Sequence, residues 1–196
     1  MEVVVPLLQI RTYGDPVLRE KSRPLDKSEV NDSFRDLIAS MAETMYGAEG
    51  VGLAANQVGE TRRFFVADIK QVTGNGQRGK RRKDAARREL LVYLNPEVLE
   101  TSVEDEAATE GCLSIPEEEA EVYRPLRVRV RYRDLEWNEH EEWLEGLHAR
   151  VFQHELDHLD GVLFVDHVSR DERERMAGAL NRLKRQTRKA LSSTAK

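Results

Sequence analysis

The segment LHARVFQHELDHL at 147–159 constrains this chain more than any other. Val151, Phe152, Leu156 and Leu159, followed by Leu163, recur with a helical period, so the segment is expected to be a helix with one apolar side. His154 and His158 stand four residues apart, which places both on one face, one turn above the other. Two imidazoles embedded in such a run are partly buried, and burying them without partners would be costly. The fold must therefore wrap other elements around this helix and give the histidines something to bind. A divalent metal fits that role. Glu155 lies about 100° around the helix from His154, close enough to handle the protons of an attacking water without being a ligand. This is the HExxH arrangement of metal-dependent hydrolases.

A hydrolytic metal takes three protein ligands and keeps a position open. The extended form HExxHxxGxxH is matched through Gly161, but Phe164 stands where the last histidine should be and cannot bind a metal. Glu172 and Glu174 follow in a highly charged stretch that reads as a solvated helix face. The remaining candidate is Cys112, the only cysteine, in TEGCLSIPEE. A thiolate suits zinc or ferrous iron, yet a lone cysteine is often just a small buried apolar residue. Gly111 permits close backbone approach, and Pro116 is expected to end the segment's hydrogen bonding. A short strand with a tight start could then present a sulfur and a backbone N–H to one cavity.

The chain has 196 residues, enough to bury a core and few enough for one domain. A net charge of −5 argues against a dedicated nucleic-acid or DNA binder. One cysteine makes no internal disulfide, no secretory signal or membrane-length apolar run is visible, and a cytoplasmic location is expected.

Three helices are expected, at 29–46, at 147–159 and from about Arg170 to Lys189, the last fraying through ALSSTAK. The first carries Phe34, Leu37, Ile38, Met41 and Met45 at helical spacing. Strands are expected at 61–69, at 91–100 with an end near Asn95–Pro96, and at 128–135, where VRVRYRDL alternates. A turn and strand are expected at 137–145, with His140 an exposed histidine rather than a ligand. The tract 71–89 carries seven Lys or Arg and reads as a loop between two strands. Strands mixed with separate helices indicate an α+β domain.

Three stretches together point to a family. GVGLAANQ at 50–57, EGCLS at 110–114 and QHELDH at 153–158 resemble, in order, the three motifs of peptide deformylases, and GDPVLR at 14–19 resembles the segment near that family's N-terminus. The resemblance spans about residues 7 to 165. It implies antiparallel sheets packed around a central metal-binding helix, with a C-terminal helix. The catalytic unit is then 1–169, and 170–196 is a helix and tail of the same domain. It implies hydrolysis of the formyl group from the N-terminal formyl-methionine of new polypeptides, with release of formate. By resemblance Cys112, His154 and His158 are the metal ligands, and Glu155 is the catalytic glutamate. Gln57 and the Leu113 N–H bind the formyl oxygen, and Gly52 with Val51 holds the substrate like an added strand. The metal implied is ferrous iron, with zinc, nickel or cobalt able to substitute.

Glu110 and Arg124 are expected to pair behind the Cys112 strand. Arg150 lies one turn before His154, where many bacterial members are apolar, which leaves the methionine pocket's floor undefined. EEEAE at 117–121 crowds the side of the site with acid and is expected to disfavour acidic residues after the formyl-methionine. After Asn181 come Arg182, Lys184, Arg185, Arg188 and Lys189 with no acid among them. Cations at a helix C-terminus complement its dipole; they would also favour a transient, salt-screened contact with ribosomal RNA.

Overall fold

The computed structural model describes residues 5–71 and 88–194. Most of the basic tract therefore lies outside the described residues. The elements run α1 (Asp32–Gly47), β1 (Gly52–Ala54), β2 (Phe64–Ala67), β3 (Leu91–Thr101), β4 (Asp105–Cys112), β5 (Ile115–Pro125), β6 (Arg127–Arg133), β7 (Glu139–Glu145), α2 (Gly146–Leu159) and α3 (Arg170–Thr194). β1, β2, β3, β6 and β7 form, in that order, one antiparallel sheet; β4 and β5 form a separate two-stranded ribbon.

Helix α1 begins where Asn31 accepts a hydrogen bond from the Phe34 N–H at 3.0 Å, a side-chain cap on an otherwise unpaired donor. Its stripe of Phe34, Ile38, Met41 and Met45 is buried. β2 is apolar at every position because both of its faces are covered. Phe64 meets Phe34 of α1 edge-on at 4.8 Å between ring centroids, and Phe65 meets Phe152 of α2 at 5.3 Å. The sheet is thus held between α1 on one face and α2 on the other.

On β6 the buried Val128 and Val130 alternate with outward arginines. Arg129 pairs with Glu100 and Glu141, Arg131 with Glu97 and Arg133 with Glu139, a charged ladder across β3, β6 and β7. These exposed pairs contribute little each, on the order of 0–1 kcal/mol.

A second apolar cluster lies under α3. Met176 and Leu180 pack with Ile115, Ala120 and Val122 of the ribbon and with Leu163, Phe164 and Val165. Farther along, Thr187 is buried and hydrogen-bonds Thr12 at 2.7 Å. At Gly14 an added Cβ would lie 2.8 Å from the Lys184 Cα, so only glycine lets the N-terminal segment lie this close to α3.

Four sequence expectations need correction. β3 runs through Asn95–Pro96 instead of ending there; Asn95 takes a positive φ of 49° and the register shifts between Leu94 and Glu97, so the strand absorbs the proline in a bulge. Pro116 interrupts the ladder without ending it: Cys112 pairs with Ile115, the register then shifts, and pairing resumes between Gly111 and Glu119, so Pro116 belongs to the returning strand. Only a short strand is expected at Cys112; the structure instead has an eight-residue β4 paired with an eleven-residue β5, whose glutamate-rich outward positions give no apolar alternation to read. Finally, α3 continues to Thr194, with no basic residue in its last turn. The cations at 182–189 are therefore interior to the helix, and the helix-dipole explanation for them fails.

Candidate active site

Three elements meet at the apolar face of α2. β4 ends at Cys112 and turns back at once into β5. β1 leads through Ala55 into a helical turn at Ala55–Val58 that carries Gln57. α2 presents His154 and His158. The ligand atoms of Cys112, His154 and His158 all lie within 4.8 Å of one another. The Cys112 Sγ is 3.1 Å from His158 Nε2. His154 turns its Nδ1 to Glu110 Oε2 at 2.9 Å, which leaves Nε2 as the nitrogen for the cluster. Of the ligand candidates raised from the sequence, Cys112 is the one brought to the histidines. Phe164 is buried in the second cluster, and Glu172 and Glu174 pair with Arg175 and Arg170 on α3. His140, expected to be exposed, is half-buried, paired with Asp134 and stacked on Tyr132.

The two imidazoles sit in opposite electrostatic settings. Burial opposes charge on His154, but its hydrogen bonds with Cys112 and Glu110 outweigh that and hold its pKa well above the ordinary histidine value. Burial and the neighbouring His154 push His158 well below. One sulfur and two imidazoles converging at buried or partly buried positions are the donor set that zinc or ferrous iron accepts.

Glu155 is buried, and its Oε2 has no hydrogen-bond partner among the described residues. Burial pushes its pKa up to about 7, against the pull of the His154 charge and a backbone hydrogen bond at Ala54. A carboxyl so placed can hold or release a proton near neutral pH. The space it occupies exists because residue 52 is glycine: a Cβ there would lie 2.3 Å from Glu155 Oε1. Similarly, a Cβ at Gly50 would meet the Leu113 side chain at 2.7 Å, so the first and second motifs lie against each other.

The Gln57 amide is oriented at both ends. Its Oε1 accepts from the Ala54 N–H at 2.8 Å, and its Nε2 donates to Ser114 Oγ at 3.1 Å and approaches Cys112 Sγ at 3.5 Å. Two supporting residues escaped the sequence reading. Ser114 is fully buried, and Asn56 donates from Nδ2 to the His158 carbonyl. Their adjacency to Gln57 and Cys112 was the only available signal.

The expected Glu110–Arg124 pair is formed and buried: Arg124 Nε and Nη2 donate to Glu110 Oε1 and Oε2 at 2.6 and 3.0 Å. Arg150 is not left to a pocket floor; its guanidinium is buried and donates to the same Glu110. Of the acidic stretch 117–121, Glu118 faces Arg175 of α3 at 3.7 Å, and Glu119 stands across the ribbon from Gly111.

The model of polypeptide deformylases matches residues 7–174. The chain belongs to the polypeptide deformylase family. The family is metal-dependent and hydrolyses the formyl group from the N-terminal formyl-methionine of polypeptides, and this chain is an enzyme of that kind. A peptide deformylase of Thermotoga petrophila is 46% identical over 163 residues, which is 83% of this chain and 88% of the relative. One from Zymomonas mobilis is 44% identical, covering 85% and 89%. The crystal structure of the Thermotoga maritima peptide deformylase superposes with a TM-score of 0.70 at 43% identity, covering 84% of this chain and 99% of that one. A plant peptide deformylase superposes at 0.82 with 32% identity, covering 97% and 95%. The family's α+β fold with antiparallel sheets is the fold described above.

Proposed function

We propose that Cys112, His154 and His158 hold the metal of this deformylase, that Glu155 moves the protons, and that Gln57 and the Leu113 N–H receive the developing negative oxygen. The observation that carries this is the convergence of the three ligand atoms within 4.8 Å beside a buried carboxyl of raised pKa. Ferrous iron is the proposed ion, with zinc, nickel or cobalt as substitutes; a thiolate with two imidazoles accepts each of them. When bound, the metal supplies an acidified water and polarises the formyl oxygen.

The protein groups account for the remaining steps. Glu155 takes the proton of the attacking water on its unpartnered oxygen. The formyl carbon becomes tetrahedral and its oxygen negative. Gln57 Nε2 has two hydrogens; Ser114 Oγ takes one, and the other, which points to Cys112 Sγ at 3.5 Å, would turn to the negative oxygen together with the Leu113 N–H. Fixed donors of this kind act where charge develops and need no reorganisation. Glu155 then returns its proton to the departing nitrogen as the C–N bond breaks, giving formate and a free α-amine.

Substrate placement follows from the sheet order. β1 is an edge strand, paired only with β2 among the described residues. The Val51 carbonyl accepts from the Asp68 N–H at 2.9 Å. Backbone groups alternate in direction along a strand, so those of Gly52 turn to the open edge, where a formyl-methionyl peptide can add as a further strand. Val51 then contributes its half-buried side chain.

Residues 1–169 are proposed as the catalytic unit and 170–196 as part of the same domain, its helix α3 docked through Met176 and Leu180. A cytoplasmic location is proposed from the substrate, and no helix among the described residues is long and apolar enough to cross a membrane. Transient ribosome contact is proposed for the exposed cations Arg182, Arg185, Arg188 and Lys189. Because Leu183, Lys184 and Thr187 face the body of the protein, charge-removing substitutions test this better than truncation. Unchanged ribosome co-sedimentation at low salt in the neutralised variant would reject it.

The central test is Glu155→Gln, assayed anaerobically with ferrous iron, a formyl-methionyl peptide and formate detection. The variant should keep its metal and lose turnover. Full activity in that variant would overturn the mechanism.

A further inference from the structure

The three proposed ligands sit on two bodies that no strand ladder joins. Cys112 ends β4 at the turn of the β4–β5 ribbon, which among the described residues pairs with no strand of the five-stranded sheet; His154 and His158 belong to α2. The ligand spacing therefore depends on what fixes the ribbon to the helix. Arg150 is 8% exposed and lies one turn before His154. Its Nη1 donates to Glu110 Oε1 at 2.7 Å and to the Val122 carbonyl at 3.0 Å, and its Nη2 donates to the Glu106 carbonyl at 2.6 Å. One guanidinium on α2 thus holds both strands of the ribbon. Glu110 in turn receives two bonds from Arg124 and contacts His154 Nδ1, while Arg124 Nη1 reaches Asp157 at 2.8 Å, beside His158. Two arginines and two carboxylates close the seam, and His154 takes its orientation from the carboxylate that Arg150 holds.

We propose that Arg150 is a positioning residue of the metal centre, setting the ribbon on α2 and, through Glu110, the orientation of His154. This rests on the reading of Cys112, His154 and His158 as ligands. A planar fork is required, since one point charge cannot reach Glu110 and two carbonyls in different directions. Partners that orient a metal-bound histidine typically change metal affinity or activity by about 10–100-fold when removed.

The test compares wild type, Arg150→Met and Arg150→Lys. Each is melted metal-free, then titrated with cobalt(II) against a chelator while the visible spectrum is recorded, and finally assayed for kcat and KM. Arg150→Met should bind cobalt about 10–100-fold more weakly, with shifted ligand-field bands, and should lose kcat more than it raises KM. Lysine should recover part of the affinity. A merely structural arginine would lower the metal-free melting temperature and leave the cobalt affinity and bands unchanged, and that result in either variant overturns the proposal. If the methionine variant does not fold, the lysine variant decides alone: wild-type affinity and bands in it refute the requirement for the fork. Absence of a thiolate–cobalt band in wild type would sink the ligand reading and this inference together. A normal wild-type spectrum shared by both variants would sink only this one.

Discussion

Replacing Gly52 by alanine tests the packing of the first motif against the Glu155 carboxyl proposed to move the protons. The added methyl carbon would lie 2.3 Å from Glu155 Oε1, 2.7 Å from its Cδ and 2.8 Å from its Cγ, where ordinary contacts begin at 3.4 Å. Gly52 does not have a positive φ, so alanine strains no backbone dihedral, and the whole conflict falls on the Glu155 side chain. The carboxylate must recede by roughly 1 Å, a misplacement that costs on the order of 100-fold in rate, or about 2.7 kcal/mol in the barrier. The expected result is a kcat down about 100-fold with metal content unchanged, read by formate release and elemental analysis. Gly50→Ala is the control: its methyl meets Leu113 Cδ1, the far end of a flexible side chain, at 2.7 Å, and a smaller effect is expected. A Gly52→Ala enzyme with full metal content and a kcat within about twofold of wild type would refute the steric argument.

Gln57→Leu removes the oriented amide while keeping its bulk; kcat should fall about 100- to 1,000-fold, with KM and cobalt spectrum little changed, and a normal kcat would remove Gln57 from the mechanism. Asn31→Ala deletes the α1 cap and should lower stability by about 1 kcal/mol, measured by urea unfolding; no change would mean that the 3.0 Å cap bond contributes nothing. Glu110→Gln tests the seam through pH. Burial raises the Glu110 pKa, but hydrogen bonds with His154 and Arg124 and the Arg124 charge outweigh this and hold it well below the ordinary carboxylate range. A depressed carboxylate stabilises the fold fully above its unfolded pKa of about 4.3 and loses that contribution as pH falls toward the folded value. The stability gap between metal-free wild type and Glu110→Gln should therefore narrow below about pH 4; it should also narrow as pH rises above the ordinary histidine value, because Glu110 helps raise the His154 pKa and that stabilisation fades as His154 loses its proton. A gap unchanged through strong acid would contradict it.

Local order determined a good part of this protein. The period of Phe34, Ile38, Met41 and Met45 was enough for α1, and the alternation of VRVRYR was enough for β6, because each pattern is written in one stretch of chain. The histidine pair and Glu155 were legible for the same reason: a helix fixes the relation of residues one turn apart. Cys112 was legible from the residues as a ligand candidate with a bland alternative, and the likeness to a family is what favoured the ligand role. Its distance from His158 is set by a ribbon whose glutamate-rich strands carry no clear apolar alternation, and whose seat on α2 depends on partners far along the chain, such as Arg150 on Glu110. The tertiary structure alone decided the place of Arg150, which the sequence offered as a possible pocket residue and the fold uses to hold Glu110. It also decided the requirement for glycine at 52, since nothing in GVGLAANQ announces that the Glu155 carboxylate will occupy the space of a missing side chain. Pattern within an element follows from backbone geometry; contact between elements follows from packing, which no single segment contains.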